Sequence, residues 1–370
     1  MQFIDLEEQQ KKIRKQLDKR ISNVLDHGKY IMGPEVFELE EKLVNYTNSK
    51  YCISCSSGTD ALLIPLMAKN IGKGDAVFTT PFTYISTAEV IKLLGATPIF
   101  IDIYPKTFNI NPDLLEPAIT NSIEMGLRPK AIIGVDIFGL PARYRKLERI
   151  CNENNLFLIE DAAQSFGSSI RGQRACSFGD VATTSFFPAK PLGCYGDGGA
   201  IFTNDYQLAE KMKSIRIHGK GTDKYDNVNL GINGRLDTIQ AAILLTKLKI
   251  FDEEISMRNK VAKYYVKNLS SNLTPQHIPK DYISSWAQFS IIASSAEARS
   301  KIINNFTKNK IPSMIYYRIP LHLQKVFSDL NLKPGSLPVS ESIAKKIFSV
   351  PMHPYLNISL QDKVLHTLDS

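Results

Sequence analysis

Leu156-Phe157-Leu158-Ile159-Glu160-Asp161 and, further on, Val181-Ala182-Thr183-Thr184-Ser185-Phe186-Phe187-Pro188-Ala189-Lys190-Pro191-Leu192-Gly193 are the stretches on which the reading of this chain turns. Each opens as a short run of apolar or β-branched residues, the pattern of a strand buried on both faces. Each ends in a chemically unusual side chain. In an open α/β sheet, ligands sit beyond the carboxyl ends of the strands, so Asp161 is placed to face one. A carboxylate there is costly to bury without a cationic partner. Capping the next turn is the competing use for Asp at such a junction. Lys190 stands alone between two prolines inside an aromatic and apolar stretch, whereas lysines belong on solvated faces. Desolvation favours its neutral amine, the form that makes Schiff bases. The prolines fix the backbone, and the glycine-rich run Gly193–Gly199 lets the chain turn tightly beneath a ligand.

Outward from this segment, strand and helix patterns alternate. Strand runs fall at Tyr51–Ser54, Ala76–Thr80, Thr97–Ile103, Ala131–Ile137 and Leu156–Ile159. Helical patterns lie at Ala61–Ala68, Ala88–Leu94 and Tyr144–Asn152, after two N-terminal ones over Asp5–Leu25 and Glu35–Tyr46. The alternation predicts an α/β fold with a mainly parallel sheet covered on both faces. Val181–Phe187 and Gly199–Thr203 lack room for a crossover helix, which predicts one antiparallel pair. Helical stretches at Thr238–Leu248 and Asp252–Leu269 come next. A strand (Gln288–Ala293), helix (Ala296–Lys308), strand (Ser313–Tyr317) and helix (Ser340–Phe348) then predict a small α+β unit. The expected division is residues 1–250 for the N-terminal helices and large domain, and 251–370 for the small domain.

Composition excludes several classes. No run of about 18 apolar residues exists to span a membrane, and the start has no apolar signal-peptide stretch, so the expected address is the cytoplasm. The net charge of +8 raises the question of nucleic acid. The basic residues are scattered, however, with no basic stripe and no nucleic-acid motif, so no nucleic-acid partner is expected. Cys52-x-x-Cys55 has no second pair and the six histidines show no ligand spacing, so no metal site is expected.

A pyridinium nitrogen is a cationic partner that suits Asp161, and keeping it protonated strengthens the ring as an electron sink. Lys190 would carry the same cofactor, pyridoxal phosphate (PLP), as a Schiff base. Ser56-Ser57-Gly58-Thr59-Asp60 supplies an anion cradle at a helix N-terminus, and equally a good N-cap. No G-x-G-x-x-G or P-loop occurs, so dinucleotide and Walker-type readings fall.

These motifs closely resemble those of the DegT-type nucleotide-sugar aminotransferases, within fold type I of the PLP-dependent transferases. The likeness rests on Asp161-Ala-Ala-Gln164-Ser-Phe-Gly167, Thr184-Ser-Phe-Phe-Pro-Ala-Lys190, Gly58-Thr59-Asp60-Ala61-Leu62, Gly231-Ile-Asn233-Gly-Arg235-Leu-Asp237 and Pro351-Met-His353-Pro354. It implies that Lys190 holds the cofactor and shuttles protons, while Asp161 pairs with the ring nitrogen. It also implies that Gln164 approaches the ring hydroxyl, that Gly58, Thr59 and Ser185 hold the phosphate, and that Tyr84 stacks on the ring. Core packing is the competing use for Tyr84. Asn233 would reach the phosphate of the partner subunit in a homodimer. Glutamate would be the amino donor, in ping-pong exchange with a keto sugar. Related dehydratases carry histidine in place of the lysine that this chain keeps.

Cys52-Ile-Ser-Cys55, Cys194-Tyr-Gly-Asp and the run from Arg235 look like the subgroup acting on UDP-2-acetamido-2-deoxy-3-oxo-glucuronate, which serves bacterial O-antigen and surface polysaccharide synthesis. Arg235 would meet a carboxylate or diphosphate. Tyr316 and Tyr317 would also face substrate, and Tyr316 stands where the family usually has histidine. That departure leaves UDP-3-oxo-N-acetylglucosamine and dTDP-linked 3-keto-6-deoxyhexoses as alternative substrates. A PLP-binding regulator without turnover and a zinc or thiol-redox protein are the rivals from other classes.

Overall fold

The computed structural model describes residues 1–223 and 225–369. Helix α1 (Leu6–His27) begins where the Asp5 carboxylate accepts the N–H of Glu8 at 3.0 Å, and it stops at Gly28, whose φ of 66° is left-handed. Helix α2 (Pro34–Thr47) starts with proline in its first turn, where no N–H is needed. Then β1 (Tyr51–Cys55), α3 (Gly58–Ala68), β2 (Asp75–Thr79), α4 (Ser86–Leu93), β3 (Thr97–Phe100), α5 (Leu115–Glu124), β4 (Arg128–Val135), α6 (Tyr144–Asn154) and β5 (Phe157–Asp161) alternate. Helix α5 lacks a strong sequence pattern, because it buries only Leu115, Ile119 and Ser122. A short hairpin, β6 (Ser169–Ile170) and β7 (Gln173–Arg174), precedes β8 (Val181–Ser185) and β9 (Gly199–Thr203).

Seven strands form one sheet in the order β1-β9-β8-β5-β4-β2-β3. Strand β9 runs antiparallel to both β1 and β8, and the other pairings are parallel. The expected antiparallel pair is therefore present, and one reversed strand accounts for it. Successive side chains feed opposite faces: Ile133 and Ile159 join one core cluster, Ile132 and Leu158 another. Cys52 and Cys55 likewise lie in different clusters on opposite faces of β1, so they are not a pair, and burial pushes both thiols up.

After β9 come α7 (Tyr206–Arg216), α8 (Thr238–Leu248) and α9 (Phe251–Asn268). The first two helices of the chain pack on α8. The remaining elements are β10 (Thr274–Pro275), β11 (Tyr282–Ile283), β12 (Phe289–Ile292), α10 (Ala296–Lys308), α11 (Pro338–Lys346), β13 (Ile347–Val350) and α12 (Ile358–Leu368). Strands β10-β12-β13 form a small antiparallel sheet over a core drawn from residues 261–368.

Two expectations are corrected. The helix expected through Phe348 ends at Lys346, because Ile347–Val350 pair with β12 instead. Ser313–Tyr317 is not a strand: only Met314 bridges, to Ser349, and the chain then leaves that edge so that Tyr316 and Tyr317 enter a cavity. Pro312, just before, has no N–H to give a ladder.

Candidate active site

Because six of the seven strands share one direction, their carboxyl ends meet along one edge of the sheet. A cavity of about 380 Å³ opens there. The chain leaving β8 makes a turn, with Lys190 N–H donating to the carbonyl of Phe187 at 2.8 Å. The turn closes on Gly193, where a Cβ would stand 2.5 Å from the Pro188 carbonyl oxygen and 2.6 Å from that of Phe187. Lys190 is half-buried in the cavity wall. Burial holds its amine below the usual lysine range, and the charge of Asp161 opposes that shift.

Asp161 ends β5 and faces the same cavity. Its Oδ2 accepts from the Thr87 hydroxyl at 2.8 Å and its Oδ1 from the Ala163 N–H at 3.2 Å. Burial raises its pKa against those two bonds and against Lys190. A buried carboxylate hydrogen-bonded only by neutral donors is suited to a cationic ligand.

Behind it the turn 162–168 is locked to the turn after β4. The Ser165 hydroxyl donates to Asp136 Oδ2 at 2.5 Å, and the Ser168 hydroxyl to the Gly139 carbonyl at 2.7 Å. The N–H of Phe138 donates to Gln164 Oε1 at 2.7 Å, which leaves Gln164 Nε2 to donate to the Tyr317 hydroxyl at 3.0 Å. Asp136 and Glu160 are both fully buried, and burial holds both carboxyls above the usual range. Asp136 accepts from Ser165, Tyr144 and the Ala142 N–H, and Glu160 from the N–H groups of Cys176 and Phe178.

The cradle is built by β1 and α3. The Ser57 hydroxyl caps α3 by accepting the Asp60 N–H at 3.0 Å, and Gly58 and Thr59 open the helix on the cavity. A Cβ on Gly58 would stand 2.6 Å from the Cβ of Ser185, so the helix start and the end of β8 close on a space that only glycine permits. Tyr84 also lines the cavity and is 59% exposed, which rules out the core-packing use.

The structure thus brings Gly58, Thr59, Tyr84, Asp161, Gln164, Ser185, Lys190, Tyr316 and Tyr317 to one cavity. It does not bring Asn233 or Arg235 there. Asn233 is exposed and accepts from the Arg235 guanidinium, on the segment between α7 and α8. Sequence reading also missed Thr87, Phe187, Asp197 and Gln288 in the cavity wall. Phe187 and Asp197 lie within the motifs quoted around Lys190 and Cys194, which was the local signal for them, whereas Thr87 and Gln288 had none. A second cleft of about 420 Å³, bordered by Arg143, Arg145, Arg171 and Lys280, holds none of the motif residues.

An amine whose pKa burial lowers, a carboxylate suited to a cation, an anion cradle at a helix N-terminus and an exposed aromatic ring fit the aldehyde, ring nitrogen, phosphate and ring face of pyridoxal phosphate. Fold and site together define a PLP-dependent transferase of fold type I.

The chain belongs to the DegT/DnrJ/EryC1/StrS aminotransferase family, whose model matches residues 11–369. It is 46% identical over 358 residues to the UDP-2-acetamido-2-deoxy-3-oxo-D-glucuronate aminotransferase of Pseudomonas aeruginosa, covering 96% of each chain. A solved DegT DnrJ EryC1 StrS aminotransferase from Brucella abortus is 48% identical, with a TM-score of 0.97 over 100% of this chain and 98% of that one. NtdA of Bacillus subtilis, solved with bound cofactor PMP, is 29% identical, with a TM-score of 0.89 over 99% of this chain and 82% of that one. The protein is an aminotransferase that uses pyridoxal phosphate. Among the described residues no helix is long and apolar enough to cross a membrane.

Proposed function

We propose that this enzyme transfers the amino group of glutamate to the 3-keto group of a nucleotide-linked sugar, UDP-2-acetamido-2-deoxy-3-oxo-glucuronate. The carrying observation is the 46% identity, across 96% of both chains, to the Pseudomonas aeruginosa enzyme named for that substrate. The product would feed surface polysaccharide and O-antigen synthesis in the cytoplasm.

Bound pyridoxal phosphate supplies an electron sink for the bond changes at the amino-bearing carbon. Lys190, whose pKa burial lowers, would hold the cofactor and then move a proton at the donor's α-carbon. Asp161 would pair with the ring nitrogen and favour its protonated form, and its bonds from Thr87 and Ala163 fix its direction. Gln164, its oxygen already tied to Phe138, offers its Nε2 to the ring hydroxyl and to Tyr317. Gly58, Thr59 and Ser185, which line the cavity, would hold the phosphate, and Tyr84 would stack on the ring. Asn233 and Arg235 complete the cavity of a second copy, which makes the working unit a homodimer. The chain divides into a large domain, residues 1–250, and a small one, residues 251–370, whose Tyr316 and Tyr317 close the cavity.

One observation favours a second reading. Tyr316 lines the cavity at the position where the family usually carries histidine, and a tyrosine offers no positive charge to a sugar carboxylate. UDP-3-oxo-N-acetylglucosamine and dTDP-linked 3-keto-6-deoxyhexoses, which lack that carboxylate, are the corresponding substrates. The test loads the enzyme with glutamate, offers UDP- and dTDP-3-keto sugars side by side, and identifies the aminated product by mass spectrometry and NMR. Preferred turnover of the uronate is expected. No turnover of any 3-keto sugar overturns the assignment.

A further inference from the structure

The second cleft, of about 420 Å³, shares no lining residue with the cavity of Lys190 and Asp161. Its walls come from distant parts of the chain. One is the start of α6, with Arg143 just before it and Arg145 and Lys146 in its first turn. The other is the hairpin of β6 and β7 with β11 paired to it, which brings Arg171 and Lys280. Both walls are held in place. The Tyr144 ring stacks on Phe178 at 4.7 Å, and the Arg171 N–H donates to the Asp281 carbonyl at 2.8 Å.

Five cations therefore border this cleft, against Glu148 as the one carboxylate in its lining. Elsewhere on the surface basic side chains find acidic partners, as Lys11, Arg14 and Arg20 do. Here Lys146 pairs with Asp113, and Arg171 with Asp281 at 3.5 Å. Among the described residues no carboxylate forms an ion pair with Arg143, Arg145 or Lys280. The Arg143 guanidinium lies instead over the Tyr104 ring, 4.2 Å from its centre. Burial pushes the Tyr282 hydroxyl up, and Arg143, Arg171 and Arg145 all draw it back, so three guanidinium groups bear on one point. Like charges gathered around one space repel, and an anion entering it relieves that repulsion.

We propose that this cleft is a binding site for a nucleoside diphosphate, with the phosphates between Arg145, Arg171 and Lys280 and the base against Tyr282. Guanidinium groups take phosphate oxygens two at a time. A lone phosphate or a small dicarboxylate fills only a corner of about 420 Å³, whereas a space of that size suits a ligand as large as a nucleotide. Ile170, Pro279 and the half-buried ring of Tyr282 give that ligand's base an apolar face. The choice of uridine as the base to test rests on the substrate proposed above; the anion site does not.

Calorimetry on the PLP-loaded full chain, titrated with UDP, uridine and inorganic pyrophosphate, tests this. UDP is expected to fill the cleft in addition to any site in the catalytic cavity. Arg145→Glu combined with Lys280→Glu reverses two exposed charges and is expected to weaken the cleft's share of UDP binding at least about tenfold. Turnover of the keto sugar is expected to stay at the wild-type level. Should the double variant lose turnover as well, Arg145→Gln alone is read in the same way. UDP binding that these variants leave untouched overturns the proposal, and so does pyrophosphate or uridine binding as tightly as UDP. If no 3-keto sugar is turned over, the substrate reading alone fails, because calorimetry still reports whether UDP binding falls with the cleft's charges.

Discussion

The segments Leu156–Gly199 and Gly231–Asp237 carry motifs of similar density, and the fold treats them oppositely. The first sends Asp161, Gln164, Ser185 and Lys190 into one cavity of its own chain. The second leaves Asn233 exposed, with Arg235 bonded to it, outside that cavity. Chain direction explains the first case: β5 and β8 are parallel neighbours, so their carboxyl ends and the turns leaving them lie side by side. The second lies on a connection between α7 and α8, where no strand end directs it inward. Motif density reports that residues are used. It does not report whether they face the cavity of their own chain.

The contrast breaks most sharply at Lys190. Lys190→Ala should abolish the borohydride-reducible Schiff base and lower turnover about 10⁴-fold or more, as read by reduction and by steady-state assay. Mixing Lys190→Ala with Asn233→Ala chains sharpens it. Hybrid dimers would regain one intact site, restoring about a quarter of wild-type activity if each cavity takes Lys190 from one chain and Asn233 from the other. No recovery after subunit exchange would place both residues on the same chain's site.

Arg235→Ala should raise KM for the sugar nucleotide about 10- to 100-fold while affecting the glutamate half-reaction less, since it removes one charge-assisted contact. Gly58→Ala, on the other side of the comparison, puts a methyl group where Ser185 already stands, and titration of the apoenzyme with PLP should show affinity weakened by about tenfold.

The last expectation concerns stability. Burial pushes His353 down to about 4 from its ordinary 6.5, so the unfolded chain binds the extra proton between those values. Stability is therefore full above about pH 6.5 and declines as pH falls toward 4, by up to roughly 3 kcal/mol. Denaturant melts from pH 7 to 4 should show that slope, and His353→Gln should flatten it.

Much of this is legible locally. The apolar runs of β4 and β5 and the helical spacing of α1, α8 and α10 recur with the periods of their elements, which short-range sterics and burial impose. Asp161 and Lys190 stand out because a charge inside an apolar run needs a reason. Ile347 and Phe348 continue the helical pattern of α11, yet they are strand, because their pairing depends on β12, distant in the chain. Thr87 and Gln288 carry no useful local signal: each matters only for what the fold brings beside it, Asp161 in one case and the cavity in the other.

By itself the sequence determined the α/β alternation and singled out Lys190 and Asp161, since each follows from local periodicity or from the cost of burying charge. The tertiary structure alone decided that β9 also pairs with β1, that Glu160 and Asp136 are both buried behind Asp161, and that Arg235 lies outside its own chain's cavity. Those outcomes are set by pairings between residues far apart in the chain, which no local pattern encodes.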